Sequence, residues 1–195
     1  MRKKLYTKYI ILLMIVIQNI AIGQSSFNVN IGAVAGNNGN LITDSLRTYR
    51  TGYQIGVTGN FGTYNFFISP GVFFKDITIN NRFNEIKPFV KSPRIKFAKA
   101  KIIIGYQTNL ITKKIKFRIG GGINGNYIIN INDNNEDFSI NTLEDTYLAY
   151  NFDIGLDFFI LSFNLSYEKS VKNVLTNSVD GNKFDFLILS AGVIF

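Results

Sequence analysis

From residue 27 onward, apolar and polar side chains alternate with a period of two, and this pattern recurs in eight separate stretches. In 53–61 the odd positions are Tyr53, Ile55, Val57, Gly59 and Phe61, and the even ones are Gln54, Gly56, Thr58 and Asn60. Residues 66–74 place Phe66, Ile68, Pro70, Val72 and Phe74 on one face; 98–106 place Ala98, Ala100, Ile102, Ile104 and Tyr106. The same spacing runs through 115–127 (Ile115 to Tyr127), 148–158 (Leu148 to Phe158) and 163–167 (Phe163, Leu165, Tyr167). A first stretch, 27–36, and a last one, ending in Leu187, Leu189, Ala191, Val193 and Phe195, complete the set. Strict alternation of this kind marks strands with two unlike faces.

The charges divide those faces. No Asp, Glu, Lys or Arg occupies the apolar positions, whereas Lys99, Lys101, Lys116, Arg118, Asp153, Asp157 and Glu168 lie opposite them. A soluble barrel buries the apolar face; a membrane barrel turns it to lipid and encloses the polar one. Connection lengths favour the second arrangement. Short links at 62–64, 108–114 and 159–162 alternate with long ones at 37–51, 76–95, 130–146 and 171–182. Such alternation is expected when turns gather at one membrane face and loops at the other. Aromatic residues near the stripe ends, among them Tyr53, Phe61, Phe66, Tyr106, Tyr127, Phe158 and Tyr167, suit the girdles of such barrels. Two departures suggest a lumen partly packed with side chains: strand 8 is apolar on both faces (Phe184, Phe186, Ile188, Ile194), and Phe67 and Phe73 point inward.

The expected fold is all-β: an eight-stranded antiparallel up-and-down transmembrane β-barrel. At 195 residues the chain has room for one domain, and 46% hydrophobic residues are too many for disorder. Residues 2–8 carry four positive charges, 9–17 are an unbroken apolar run, and Ala21-Ile22-Gly23 offers small residues for signal peptidase. This is the pattern of a cleavable signal peptide, 1–23, ahead of a barrel domain, 24–195. The apolar run is too short for a spanning helix, which needs about 20 residues. Removing the signal takes four bases and no acid, so the formal charge falls from +8 to +4 and the case for nucleic-acid binding lapses.

With those residues in view, the chain resembles the small eight-stranded outer-membrane barrels of the PorT-like type. The likeness is clearest in 95–129, where IKFAKAKIIIGYQTNL, a short turn and KIKFRIGGGINGNYII match that family's strand–turn–strand centre. The family usually has a Pro in the first of these strands, where Lys101 and Ile102 stand here. The resemblance implies fold and an outer-membrane location in a Gram-negative bacterium. It carries over no functional residue. Some relatives act in protein secretion.

Candidate chemistry is sparse. The chain has no Cys and no His, which removes thiolate metal sites, cysteine nucleophiles and the commonest general base. No enzyme and no cofactor is expected. The lumen charges Lys99, Lys101, Lys116 and Arg118, beside Asp153, Asp157 and Glu168 on adjacent strands, read as an ion-pair network that plugs an interior only wide enough for side chains. A selective pore is the functional alternative. Gly120-Gly121-Gly122-Ile123-Asn124-Gly125 fits G-x-G-x-x-G but lies within a strand, where it does not bind a dinucleotide. Asp133, Asn135, Asp137, Ser139 and Glu144 fall at calcium-loop positions, though Phe138 replaces the turn glycine. Loop 75–94 is basic (Lys75, Arg82, Lys87, Lys91, Arg94 against Asp76 and Glu85), and loop 130–146 is acidic (Asp133, Glu136, Asp137, Glu144, Asp145). Expected partners are outer-membrane lipid and lipopolysaccharide, a protein at the extracellular loops, and the outer-membrane assembly machinery, reading the terminal Phe195. The alternative is a secreted lipocalin-like carrier of apolar ligands, which needs the apolar face turned inward.

Overall fold

The computed structural model describes residues 24–38, 49–63, 65–80, 94–110, 114–132, 144–172, 174 and 183–195; the expected signal peptide lies outside them. These residues form eight antiparallel strands: β1 (Gln24–Asn38), β2 (Tyr49–Thr63), β3 (Phe66–Asn80), β4 (Arg94–Asn109), β5 (Ile115–Ile131), β6 (Thr146–Phe158), β7 (Leu161–Ser170) and β8 (Phe184–Ile194). Each pairs with its neighbours in sequence, and β1 closes on β8 from Asn28↔Ile194 to Asn38↔Phe184. Closure leaves no unpaired edge.

Cross-strand pairing once round the wall fixes the geometry. From Ser25 it runs through Phe61, Ile68, Ile104, Gly121, Phe152, Tyr167 and Leu187 and returns to β1 at Ala35, ten residues further on. For eight strands, a stagger of this size tilts the strands by about 40°. One irregularity interrupts β4–β5: the register shifts between Lys96 and Phe97, and Ile129 is left over on β5. Beyond that bulge, Ile131 packs back onto the buried interior.

The wall is apolar outside. Phe27, Ile31, Phe66, Ile104, Leu148, Tyr150 and Leu189 are each more than half exposed on the outer face. On β3 the outward positions Phe66, Ile68, Pro70, Val72 and Phe74 precede Asp76; on β7, Leu161 to Tyr167 precede Lys169. Five outward positions cover eight steps, or about 20 Å of height at the estimated tilt, approaching the apolar band of about 25 Å of membrane barrels. Among the described residues, the outward charges on strands are Asp76, Arg94, Lys96, Lys169 and Asp185, all at the end of the long connections. Asp76 is covered by Arg94, whose Nε and Nη2 each donate to a carboxylate oxygen at 3.0 Å.

Close approach dictates some glycines. A Cβ at Gly122 would lie 1.9 Å from the Ile102 carbonyl oxygen, and one at Gly105 2.8 Å from the Phe67 ring. Gly105 is paired with Gly120, so the wall is thin where Phe67 fills the lumen. The G-x-G-x-x-G sequence lies wholly inside β5, with no helix after it.

Candidate functional site

The interior is the one place where this fold gathers charge, and its side chains form tiers along the axis. Nearest the long connections is an apolar tier: Val34, Ile77, Ile95, Phe97, Ile128, Tyr147, Phe184 and Phe186 pack together, with Val174 from beyond β7 buried among them. Phe97, Tyr147, Phe184 and Phe186 meet edge to face in succession, with ring centroids 5.6–6.0 Å apart. Arg50 is buried here, its guanidinium carbon 3.5 Å from the Phe184 ring centroid. Among the described residues, its Nε and Nη1 and the Tyr147 hydroxyl have no hydrogen-bond partner.

Below lies a three-residue ionic cluster. Glu168 on β7 accepts from Lys75 on β3 at 3.1 Å and from Lys99 on β4, while Lys99 also donates to Gln54 Oε1 at 2.8 Å. All three charged side chains are 1% exposed or less. The ammonium groups also face aromatic rings: Lys75 lies 4.2 Å from the Phe186 centroid and Lys99 4.7 Å from Phe73. Both carboxylate oxygens are thus engaged, and two cations share one anion.

Halfway down, Lys101 donates to Asp153 at 2.8 Å. Asn124 is opposite Lys101, and Asn126 and Asn151 face the interior nearby; among the described residues neither amide atom of any of the three has a protein partner. Nearer the short turns, Arg118 ties three strands together. Its Nη2 donates to Asp157 at 2.7 Å, Ser162 at 2.9 Å and Asn164 at 3.0 Å. The last tier is a vestibule of about 300 Å³ lined by Ser25, Asn60, Gln107, Lys116 and Asp157, among others.

All seven lumen residues expected from the sequence face the interior, but not as one row on adjacent strands. Lys99 sits opposite Asn126 and Lys101 opposite Asn124; Lys116 and Arg118 are level with Asn109 and Gln107. The register separates the bases along the axis, and Lys99 reaches across the lumen to Glu168. Lys116 is opposite Asp157 in the vestibule. A second correction concerns loop 75–94: Lys75, Asp76 and Arg94 belong to strands, and Lys75 is a lumen cation rather than a surface charge. Alternation continues through Phe73, Lys75 and Ile77, so parity could have placed Lys75 inside. Residues 77–80 also belong to β3, 81–93 lie outside the described residues, and so does the calcium-loop candidate except for Glu144, which is exposed. A carrier of apolar ligands needs the apolar face inside, whereas here the apolar stripes face outward and most of the interior below the apolar tier is polar.

No family model matches the chain, and no curated protein matches it. Two solved structures align with most of it. One is Ail, the attachment invasion locus protein of Yersinia pestis, in complex with the heparin analogue sucrose octasulfate. It is 13% identical, with a TM-score of 0.43 over 88% of this chain and 99% of that one. The other is Neisserial surface protein A, 11% identical, with a TM-score of 0.45 over 88% of this chain and 97% of that one.

Proposed function

We propose that the chain is a non-enzymatic integral barrel of a Gram-negative outer membrane, with a lumen plugged by ion pairs and aromatic rings. It acts as a structural or interacting protein through its long connections. One observation carries this: the outer wall is apolar over a height approaching the thickness of a bilayer core, while the charged side chains are enclosed or lie at the rims. In water such a wall is an extended exposed apolar patch, far beyond what soluble monomers tolerate. In hydrocarbon it is the stable surface, and the closed hydrogen-bond ladder satisfies the spanning backbone.

The basic side chains at the rim of the long connections, Lys96, Lys169, Lys172 and Lys183, suit lipopolysaccharide phosphates. A role as an accessory of protein secretion rests on the PorT-like pattern of 95–129. Fractionation tests the location, and gel mobility tests the barrel. The protein should pellet with outer membranes, resist extraction by salt, and migrate differently on gels before and after boiling. A freely soluble monomer without detergent defeats the proposal.

A further inference from the structure

The link between β6 and β7 is unlike a water-facing hairpin. Phe158 and Leu161 are paired, so Phe159 and Ile160 form a two-residue turn. Such turns favour Asn, Asp and Gly, because at least one central residue has positive φ. Here Phe159 has φ 57°, a left-handed conformation that bulky side chains rarely adopt. Phe159 is 54% exposed and Ile160 64% exposed, so neither is held there by burial within the chain. A water-facing tip gains nothing from two large apolar side chains and a backbone conformation that suits glycine.

Three further features place this tip in an apolar medium. First, β6 and β7 are shorter than β1–β5, and β7 has only four outward apolar positions, Leu161 to Tyr167, before Lys169. Allowing for the ten-residue stagger, the turn lies at about the height of the outward rings Phe27, Phe61, Phe66, Tyr106 and Phe195. It extends the apolar wall one step past Phe158 and Leu161. Second, neighbouring segments engage two of its backbone groups: Phe159 N–H donates to the Lys114 carbonyl at 2.9 Å, and the Ile160 carbonyl accepts from Ile194 N–H at 2.8 Å. A turn in hydrocarbon requires such satisfaction, whereas one in water does not. Third, the Lys114 ammonium stands 5.2 Å from the Phe159 ring centroid, where a cation can cover the tip and still reach the polar boundary.

We infer that the Phe159–Ile160 turn is immersed in the lipid of the leaflet on the short-turn side, continuing the apolar wall around the tip of the β6–β7 hairpin. The inference rests on the membrane reading proposed above. The occupant is lipid acyl chain, since the patch is continuous with the lipid-facing wall and two of its backbone groups are engaged by neighbouring segments.

The chain has no Cys, so single substitutions give unique labelling sites. Ile160→Cys, Leu165→Cys in mid-wall and Asn65→Cys in the β2–β3 turn would each carry a polarity-sensitive fluorophore. The full chain is refolded in phosphatidylcholine–phosphatidylglycerol vesicles and challenged with iodide or with spin-labelled acyl chains. The label at Ile160 should behave like that at Leu165: blue-shifted, quenched by the spin-labelled lipid and protected from iodide. Iodide quenching at Ile160 equal to that at Asn65, with Leu165 still quenched by lipid, overturns the immersed turn alone. Iodide quenching at Leu165 as well overturns the membrane reading itself. In native outer-membrane fragments, a label at Ile160 shielded from both quenchers points to a protein covering the tip and also overturns the inference.

Discussion

Replacing Glu168 by Gln should unbalance the most enclosed charge cluster in the barrel. The substitution keeps the side chain's shape but removes the one anion between Lys75 and Lys99, both of which contact it. Two ammonium groups sharing a carboxylate are on the order of 5 Å apart and, at an effective dielectric constant near 20, repel by roughly 3 kcal/mol. Breaking a buried pair by removing one partner generally costs about 3–5 kcal/mol, in agreement with that figure. Removing Lys75 in the same background should recover part of the loss, because one ammonium then remains with Gln54 and the new amide. Urea titration of the folded barrel in short-chain lipid vesicles can measure both. The readouts are the mobility of unboiled samples on gels and tyrosine emission, since the chain has no Trp. A loss in Glu168→Gln no larger than the roughly 1 kcal/mol of a solvated pair refutes the electrostatic reasoning. So does a Lys75→Met/Glu168→Gln double variant no more stable than Glu168→Gln.

Three other outcomes follow from the wall and the plug. Leu165→Arg, placed near mid-height on the outer face, should cost about 2–4 kcal/mol in the same titration, whereas Thr51→Arg near the charged rim should cost at most about 1 kcal/mol. Gly122→Ala should destabilise the barrel by roughly 1–3 kcal/mol through its clash with the Ile102 carbonyl, while adjacent Gly121→Ala, whose Cβ would meet its nearest atom at 3.7 Å, should leave the unfolding midpoint unchanged. In planar bilayers the parent should show no steady conductance. An open parent channel would mean that the aromatic tier does not seal the lumen.

Alternation made the strands and their two faces legible from the residues. Every stretch with the two-residue period became a strand, and Phe67, Phe73, Phe184, Phe186 and Ile188 are buried as their parity implied. Strand ends near the long connections were harder to place. At Lys75-Asp76 the outward apolar stripe stops, which resembles the start of a loop, yet the ladder runs on to Asn80 because Ile77 still has a buried partner in Ile95. Arg50 and Tyr147 also fell outside the expected strands, since each precedes the first residue of its stripe. Which charges meet was legible only between adjacent strands, as where Arg118 on β5 meets Asp157 on β6. Alternation says which side a residue faces, whereas contact across a lumen depends on register and stagger, which pair Lys99 on β4 with Glu168 on β7. The amides of Asn124, Asn126 and Asn151, which lack a partner among the described residues, were likewise indistinguishable from ordinary polar positions.

The seam between β1 and β8 has a consequence for assembly. It joins Asn28 to Ile194, almost the two extremes of the described chain, so it cannot form until every intervening strand exists. Until then both margins of the sheet offer unsatisfied backbone groups along with a greasy surface, a combination prone to clumping in water. Shortening the polypeptide by its final strand therefore leaves that condition permanent, because it removes the partner that β1 has on that side.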